Sequence, residues 1–196
     1  MGEAASIRSE PTHGAGPGLH QGKIFASNSG LCVEPSHSGV SLNIGAGRCV
    51  WPGWINDTSS DFRHLPYGDG TIDRIAGIHV LEHVYEWEAK PMLTEWKRTL
   101  KPGGQLILEL PCMDKVFYYL ARVFEKQESM AGFMSWFALW GDPRHQESAM
   151  CHKWGYTKQM LIDLLTAVGF EQITIKQPNY HFPMRDMRVE CLKGGL

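Results

Sequence analysis

Short apolar runs alternate along this chain with longer stretches whose apolar residues recur at three- and four-residue steps, the periods of strand and helix respectively. Val40-Ser41-Leu42-Asn43-Ile44 reads as a buried strand ended by Gly45 and Gly47, because glycines are strong punctuation after an apolar run. Trp54-Ile55-Asn56 is a second, very short strand after the Pro52-Gly53 turn. Thr71 to His79 gives a third, bounded upstream by Gly68-Asp69-Gly70. From Val84 to Leu100 the pattern turns helical, with Trp87, Met92, Leu93, Trp96 and Leu100 on one stripe. Pro102-Gly103-Gly104 is expected to stop that helix. Gln105 to Leu110 is then a clear strand closed by Pro111.

Residues 113–155 form a Met- and aromatic-rich, partly helical insertion with a loop around Gly141-Asp142-Pro143-Arg144-His145. Thr157 to Val168 is an amphipathic helix carrying Met160, Leu161, Leu164 and Leu165 on one face, with Gly169 as its stop. Glu171 to Lys176 and Met187 to Lys193 are the last strands, and no helical pattern separates them. Strands alternating with helices predict an α/β domain with a mostly parallel sheet, and the final pair predicts an antiparallel last strand. Residues 1–38 are rich in Gly, Ser, Pro and His and hold no stable period, so a flexible N-terminal segment is expected before a single domain over 39–196.

Composition narrows this picture. At 196 residues and 43% hydrophobic content the chain suits one domain with a substantial core. A formal net charge of -2 gives no global pull toward polyanions, so nucleic acid is not expected as a partner. The five cysteines are widely spaced with no CxxC pair, which argues against a zinc ribbon or a disulfide framework and for a reducing, cytoplasmic setting. Neither a signal-like apolar stretch nor a membrane span is expected. Phe133, Trp136, Phe137 and Trp140 fall at helical spacing, which suits core packing or the contact of a homodimer.

The Gly45-Ala46-Gly47 turn is the first candidate for chemistry, since glycine lets a ligand lie against bare backbone. His79-Val-Leu-Glu82-His83 fits the H-x-x-E-H pattern of inverted zinc peptidases. That pattern needs both histidines on one helix face, and here His79 directly follows a strand, so no metal is expected. His83, His152 and His181 are the candidate proton acceptors, because imidazole titrates near neutral pH. Arg144, His145, Tyr156 and Tyr180 accompany them.

Asn43-Ile-Gly-Ala-Gly47, Asp61-Phe-Arg-His-Leu-Pro66, His79-Val-Leu-Glu-His83 and Leu100-Lys-Pro-Gly-Gly104, in this order, resemble a small class I S-adenosylmethionine-dependent methyltransferase of type 11. The similarity covers residues 40–112 well and continues weakly through 152–157 and 167–170. Asn43 stands where the family often has an acidic residue, and Cys49 where a third glycine is common. The resemblance implies a Rossmann-like, doubly wound α/β fold and methyl transfer from S-adenosyl-L-methionine to a small-molecule or saccharide-like acceptor. It implies cofactor contacts at Asn43, Gly45, Ala46 and Gly47, at Asp57 for the ribose, at Asp61 and Phe62 for adenine with Leu65 beside it, and at His79 and Leu81. Asp57 and Asp61 also suit plain turn or cap roles. The stretch from Gly47 to Asp57 is short for the usual fingerprint, so the first helix is expected to be trimmed or replaced by the Pro52-Gly53 loop. A non-catalytic cofactor-binding module of the same fold is the alternative, and a zinc hydrolase a more distant one.

Overall fold

A computed structural model describes residues 34, 38–47, 49–59, 61–126 and 136–195; the expected flexible segment lies outside them except for Glu34 and Ser38. Six strands make one sheet: β1 (Ser41–Ile44), β2 (Ile55–Asp57), β3 (Ile72–Ile78), β4 (Leu100–Pro111), β5 (Phe170–Lys176) and β6 (Asp186–Lys193). Their order is β2-β1-β3-β4-β6-β5. The first four are mutually parallel, while β6 runs antiparallel to both β4 and β5. This is the expected α/β sheet with its one reversed strand. The chain leaves β1 toward β2 on one side and toward β3 on the other, so the topological switch point lies at the carboxyl ends of β1 and β3.

Strand alternation divides the core. Leu42 and Ile44 are fully buried on one face, where α1 (Glu86–Thr99) and α4 (Lys158–Val168) pack through Met92, Leu93, Trp96, Leu161 and Leu165. Trp96 alone contributes a gross burial term of about 4–6 kcal/mol, at 25 cal/mol per Å² over the area such a ring buries. Gly77 on β3 makes this possible, since a Cβ there would stand 2.9 Å from two Trp96 ring carbons. The opposite face carries Trp51, Trp54, Ala76 and Ile107, with Tyr180 stacked on Trp51 at 5.2 Å. No described helix contributes to that cluster. Between β1 and β2 the helix is indeed replaced by a loop, which Trp51 and Trp54 anchor.

Boundaries hold best where capping is explicit. Thr157 accepts from the Met160 amide at the start of α4, and Gly169 ends it at φ 87°. α1 stops earlier than expected, at Thr99. Proline disfavours helical backbone in the residue before it, so Lys101 and its neighbours are already strand-like. Residues 101–104 bulge from the ladder between the Ile72–Leu100 and Arg74–Gln105 pairs. Trp87 is 70% exposed rather than buried, stacked flat on Tyr85. The insertion contains α2 (Met113–Lys126), α3 (136–140) and a 3₁₀ turn at Ser148–Met150. Within α3 the buried residue is Ala138, whereas Trp136 and Trp140 face solvent; Phe133 lies outside the described residues.

Candidate active site

The glycine turn sits at the switch point. Gly45 and Gly47 have φ of 64° and 52°, the left-handed region that other residues enter at a cost. Gly45 has a second constraint: a Cβ would come 2.7 Å from Val80 Cγ2. At Gly47, which is exposed, a Cβ would meet nothing nearer than the Gly45 carbonyl oxygen at 3.9 Å. That open flank is where a bound molecule can approach the backbone. The Ala46 amide donates to the Asp57 carbonyl at 2.9 Å, tying the turn to the end of β2.

Asn43 is tied to the loop that follows the turn. Its amide donates to the Cys49 carbonyl (3.0 Å) and to Asn56 Oδ1 (3.1 Å). Asn56 in turn accepts from Trp51 N and donates to the Trp51 and Trp54 carbonyls. Two asparagines therefore satisfy the backbone groups that the missing helix would have paired internally. Asp57 closes an Asx turn with the Ser59 amide at 2.8 Å. Its charge, after burial, also raises the Tyr67 hydroxyl pKa.

Asp61 is exposed, and its carboxylate accepts from Arg63 N at 3.3 Å. The segment after it is strapped to α1. Arg63 forms a two-pronged ion pair with Glu88, Trp96 Nε1 donates to the Phe62 carbonyl, and Leu65 N donates to Glu95. The Leu65 side chain lies in the main core, as does Leu81. Core packing takes both side chains, so only the backbone of these two residues is left to meet a ligand.

β3 delivers a histidine cluster beside the turn. His79 adopts φ 53°, and its amide donates to the Glu109 carbonyl at 2.8 Å. Leu81–His83 follow as one 3₁₀ turn, so His79 and His83 do not share a helix face. The zinc-peptidase geometry is absent. Glu95 downstream on α1 accepts from Leu65 N and Arg98 and is not free to act as a further ligand. Instead, His79 Nδ1 lies 2.7 Å from Glu82 Oε1 and His79 Nε2 lies 3.6 Å from Asp186. Burial opposes a charge on His79, but these two carboxylates more than offset it and raise its pKa. Burial would likewise raise the Glu82 carboxyl; His79 reverses this and holds it low.

The three candidate proton acceptors converge here from distant parts of the chain. The His181 ring packs on His79 with centroids 4.0 Å apart, and His152 meets His83 edge to face at 4.9 Å. Burial of its inner edge, with the charge of His79, lowers His181 to about 4. Burial also lowers His152. Of the accompanying polar residues, Arg144 pairs with its neighbour Asp142, and Tyr180 donates to Glu34 at 2.6 Å. Tyr156 is buried with its hydroxyl unpartnered. Behind the site Arg188 joins Glu109, Glu34 and Glu190 in a buried network. Sequence reading did not single out Asp186, Glu109 or Arg188; a charged residue flanked by apolar ones in a strand pattern is the available signal.

A family model described as the methyltransferase domain matches residues 13–108, a span that holds the glycine turn, Asp57, Asp61 and the His79–His83 segment. The match takes in just under half of the chain and marks its likeness to the S-adenosylmethionine-dependent methyltransferases, with S-adenosylmethionine as cofactor. Among solved structures it resembles a S-adenosylmethionine-dependent methyltransferase of Archaeoglobus fulgidus, with 14% identity over 79% of this chain and 86% of that one, TM-score 0.52. A Thermotoga maritima methyltransferase described as a possible histamine N-methyltransferase gives 16% identity, 80% and 83% coverage, and TM-score 0.50. The human N-acetylserotonin methyltransferase solved with its cofactor gives 14% identity and TM-score 0.51; 80% of this chain covers 48% of that one, about half. At these identities the likeness establishes the fold. No curated protein sequence matches the chain. The open face of Gly47, at the switch point beside the end of β2, leaves room for a nucleoside cofactor against the backbone.

Proposed function

We propose that this methyltransferase acts on a small-molecule or saccharide-like acceptor held over the carboxyl end of β3. The observation that supports this reading most is the contact of Gly45 with Val80. It sets the cofactor turn directly against the segment bearing His79, Glu82 and His83. In this reading the backbone of Gly45, Ala46 and Gly47 carries the amino-acid portion and ribose, and Asp57 accepts from the ribose hydroxyls. Asp61 and the Phe62 amide hold adenine, while the backbones of Leu65, His79 and Leu81 border the cleft. Asn43 acts one step back, fixing the loop through Cys49 and Asn56.

When bound, the cofactor supplies a methyl carbon on a positive sulfur, which leaves positioning as the protein's main task. His181 is the proton acceptor. Though exposed to solvent, it is kept neutral at physiological pH by desolvation against its neighbours and by the positive charge of His79. His79 is itself held between Glu82 and Asp186 and offers the His181 ring a fixed surface to pack against. An acceptor hydroxyl losing its proton to His181 gains the electron density that attacks the methyl carbon.

The test is transfer of a labelled methyl group from S-adenosylmethionine to a panel of sugars, phenols and amines. The expected result is label in at least one hydroxyl-bearing compound, abolished by His181→Ala only where the methylated group must lose a proton. Absence of S-adenosylhomocysteine binding together with absence of transfer would overturn the reading. Among the described residues no helix is long and apolar enough to cross a membrane.

A further inference from the structure

Glu82 follows the carboxyl end of β3 with its side chain only 2% accessible. Its Oε1 pairs with His79 Nδ1 at 2.7 Å, whereas Oε2 is buried without a hydrogen-bond partner. Leaving that second oxygen buried and unpaired is costly unless a further donor or cation meets it. Two further imidazoles stand close to Glu82. His152 Nε2 lies 4.0 Å from Glu82 Oε1, and one ligand atom from each of Glu82, His83 and His152 falls within 4.8 Å of the others.

Both histidines are oriented by the same device. His83 Nδ1 lies 3.2 Å from the Cys151 carbonyl and His152 Nδ1 2.8 Å from the Ala138 carbonyl. A carbonyl acceptor places the proton on Nδ1 and leaves a lone pair on Nε2, the arrangement that outer partners impose on metal-binding histidines. The frame around them is fixed as well. The Glu82 carbonyl accepts from the Lys153 and Trp154 amides at 2.7 and 3.3 Å, which staples residues 151–154 to the Leu81–His83 turn.

We propose that Glu82, His83 and His152 form a binding site for one divalent transition-metal ion of the zinc class. Two imidazole nitrogens and a carboxylate oxygen match the donor set zinc takes, and three protein ligands leave a fourth position for water or an oxygen of a bound molecule. Ligand atoms around tetrahedral zinc stand roughly 3.4 Å apart given bonds near 2.1 Å, so closure by about 1 Å through side-chain rotation completes the site. The ion would bind whether or not the cofactor is present.

The experiment titrates zinc, and separately cobalt(II) as a coloured reporter, into full-length protein stripped with a chelator. Thermal unfolding and the visible cobalt spectrum are the readouts. Expected are one ion per chain, a rise in Tm with zinc, and the intense visible bands of tetrahedral cobalt. His83→Ala and His152→Ala each weaken binding by more than about a hundredfold, since even outer partners of a ligand are worth about 10–100-fold. His145→Ala, an exposed histidine outside the triad, binds as wild type does. Far-UV circular dichroism of the stripped variants checks the fold. Should His152→Ala not fold, the half-exposed His83→Ala carries the comparison alone. No binding by wild type, or binding that His83→Ala leaves unchanged, overturns the proposal.

Discussion

Replacing Gly45 and Gly47 by alanine, one at a time, separates a residue that shapes the cofactor turn from one that faces the ligand. Both have positive φ, so each alanine carries a conformational cost of about 1–2 kcal/mol. At Gly45 the added methyl also stands 2.7 Å from Val80 Cγ2. Val80 is β-branched and 3% exposed, which leaves it little room to yield. Overpacking of that kind adds about 1–3 kcal/mol, so Gly45→Ala should lose about 2–5 kcal/mol in all. Gly47→Ala has no neighbour nearer than 3.9 Å and should lose only the conformational part, about 1–2 kcal/mol. Urea unfolding followed by tryptophan fluorescence gives the stabilities, and calorimetry with S-adenosylhomocysteine gives the affinities. Both variants should bind at least tenfold more weakly, Gly47→Ala while nearly as stable as wild type. Equal stabilities would refute the Val80 argument. Unchanged affinity in Gly47→Ala would refute the ligand-facing role of the turn.

Other perturbations test the frame around the site. Arg188→Met strips Glu109 and Glu34 of their buried cation and should cost about 3–5 kcal/mol in urea unfolding; a loss under 1 kcal/mol would contradict the network. Burial alone would raise the Asp186 carboxyl, but the nearby His79 and the hydrogen-bonded Arg185 guanidinium hold it well below its ordinary 3.8. A depressed carboxyl contributes stability that is present above the unfolded pKa and lost as pH falls below it. Asp186→Asn should therefore flatten the loss of stability below about pH 4, and an unchanged acid limb would sink that assignment. His181→Ala should lower kcat about 10²–10⁴-fold toward a hydroxyl acceptor with KM little changed; a rise in KM alone would make His181 a binding residue.

The elements most legible in the sequence are those with local punctuation. Thr157 and Gly169 bracket α4, and Gly45 and Gly47 end β1, because capping and left-handed turns are decided within a few residues. The end of α1 was less legible. Pro102 acts on the residue before it, so extended backbone begins at Leu100, and the Pro-Gly-Gly turn becomes a bulge inside β4 rather than a helix stop. Trp87, Trp136 and Trp140 fit an apolar period yet face solvent, since periodicity registers hydrophobic character and not the presence of a packing partner. The trimmed helix after β1 was visible as a short spacing. Its replacement by paired asparagines was not, because Asn43 and Asn56 meet only across the β1–β2 register.

The site follows the same rule. The glycine turn and Asp57 lie on adjacent strand ends and could be read together. His83, His152 and His181 each stood alone in the sequence, and it is the β3–β6 end of the sheet that collects them around Glu82 and His79. Val80, Leu81 and Val84 flank Glu82 and His83 with apolar side chains, which was the local sign that this glutamate is buried.

The central claim is that the cofactor lies on the Gly45–Gly47 turn at the β1–β3 switch point, and a crystal structure of the protein with S-adenosylhomocysteine tests it most directly. The account predicts the ribose hydroxyls within hydrogen-bonding distance of the Asp57 carboxylate, the adenine amino group at Asp61, and the sulfur facing the His79–His181 pair. A ligand bound away from Gly47, or one whose ribose does not meet Asp57, would contradict it.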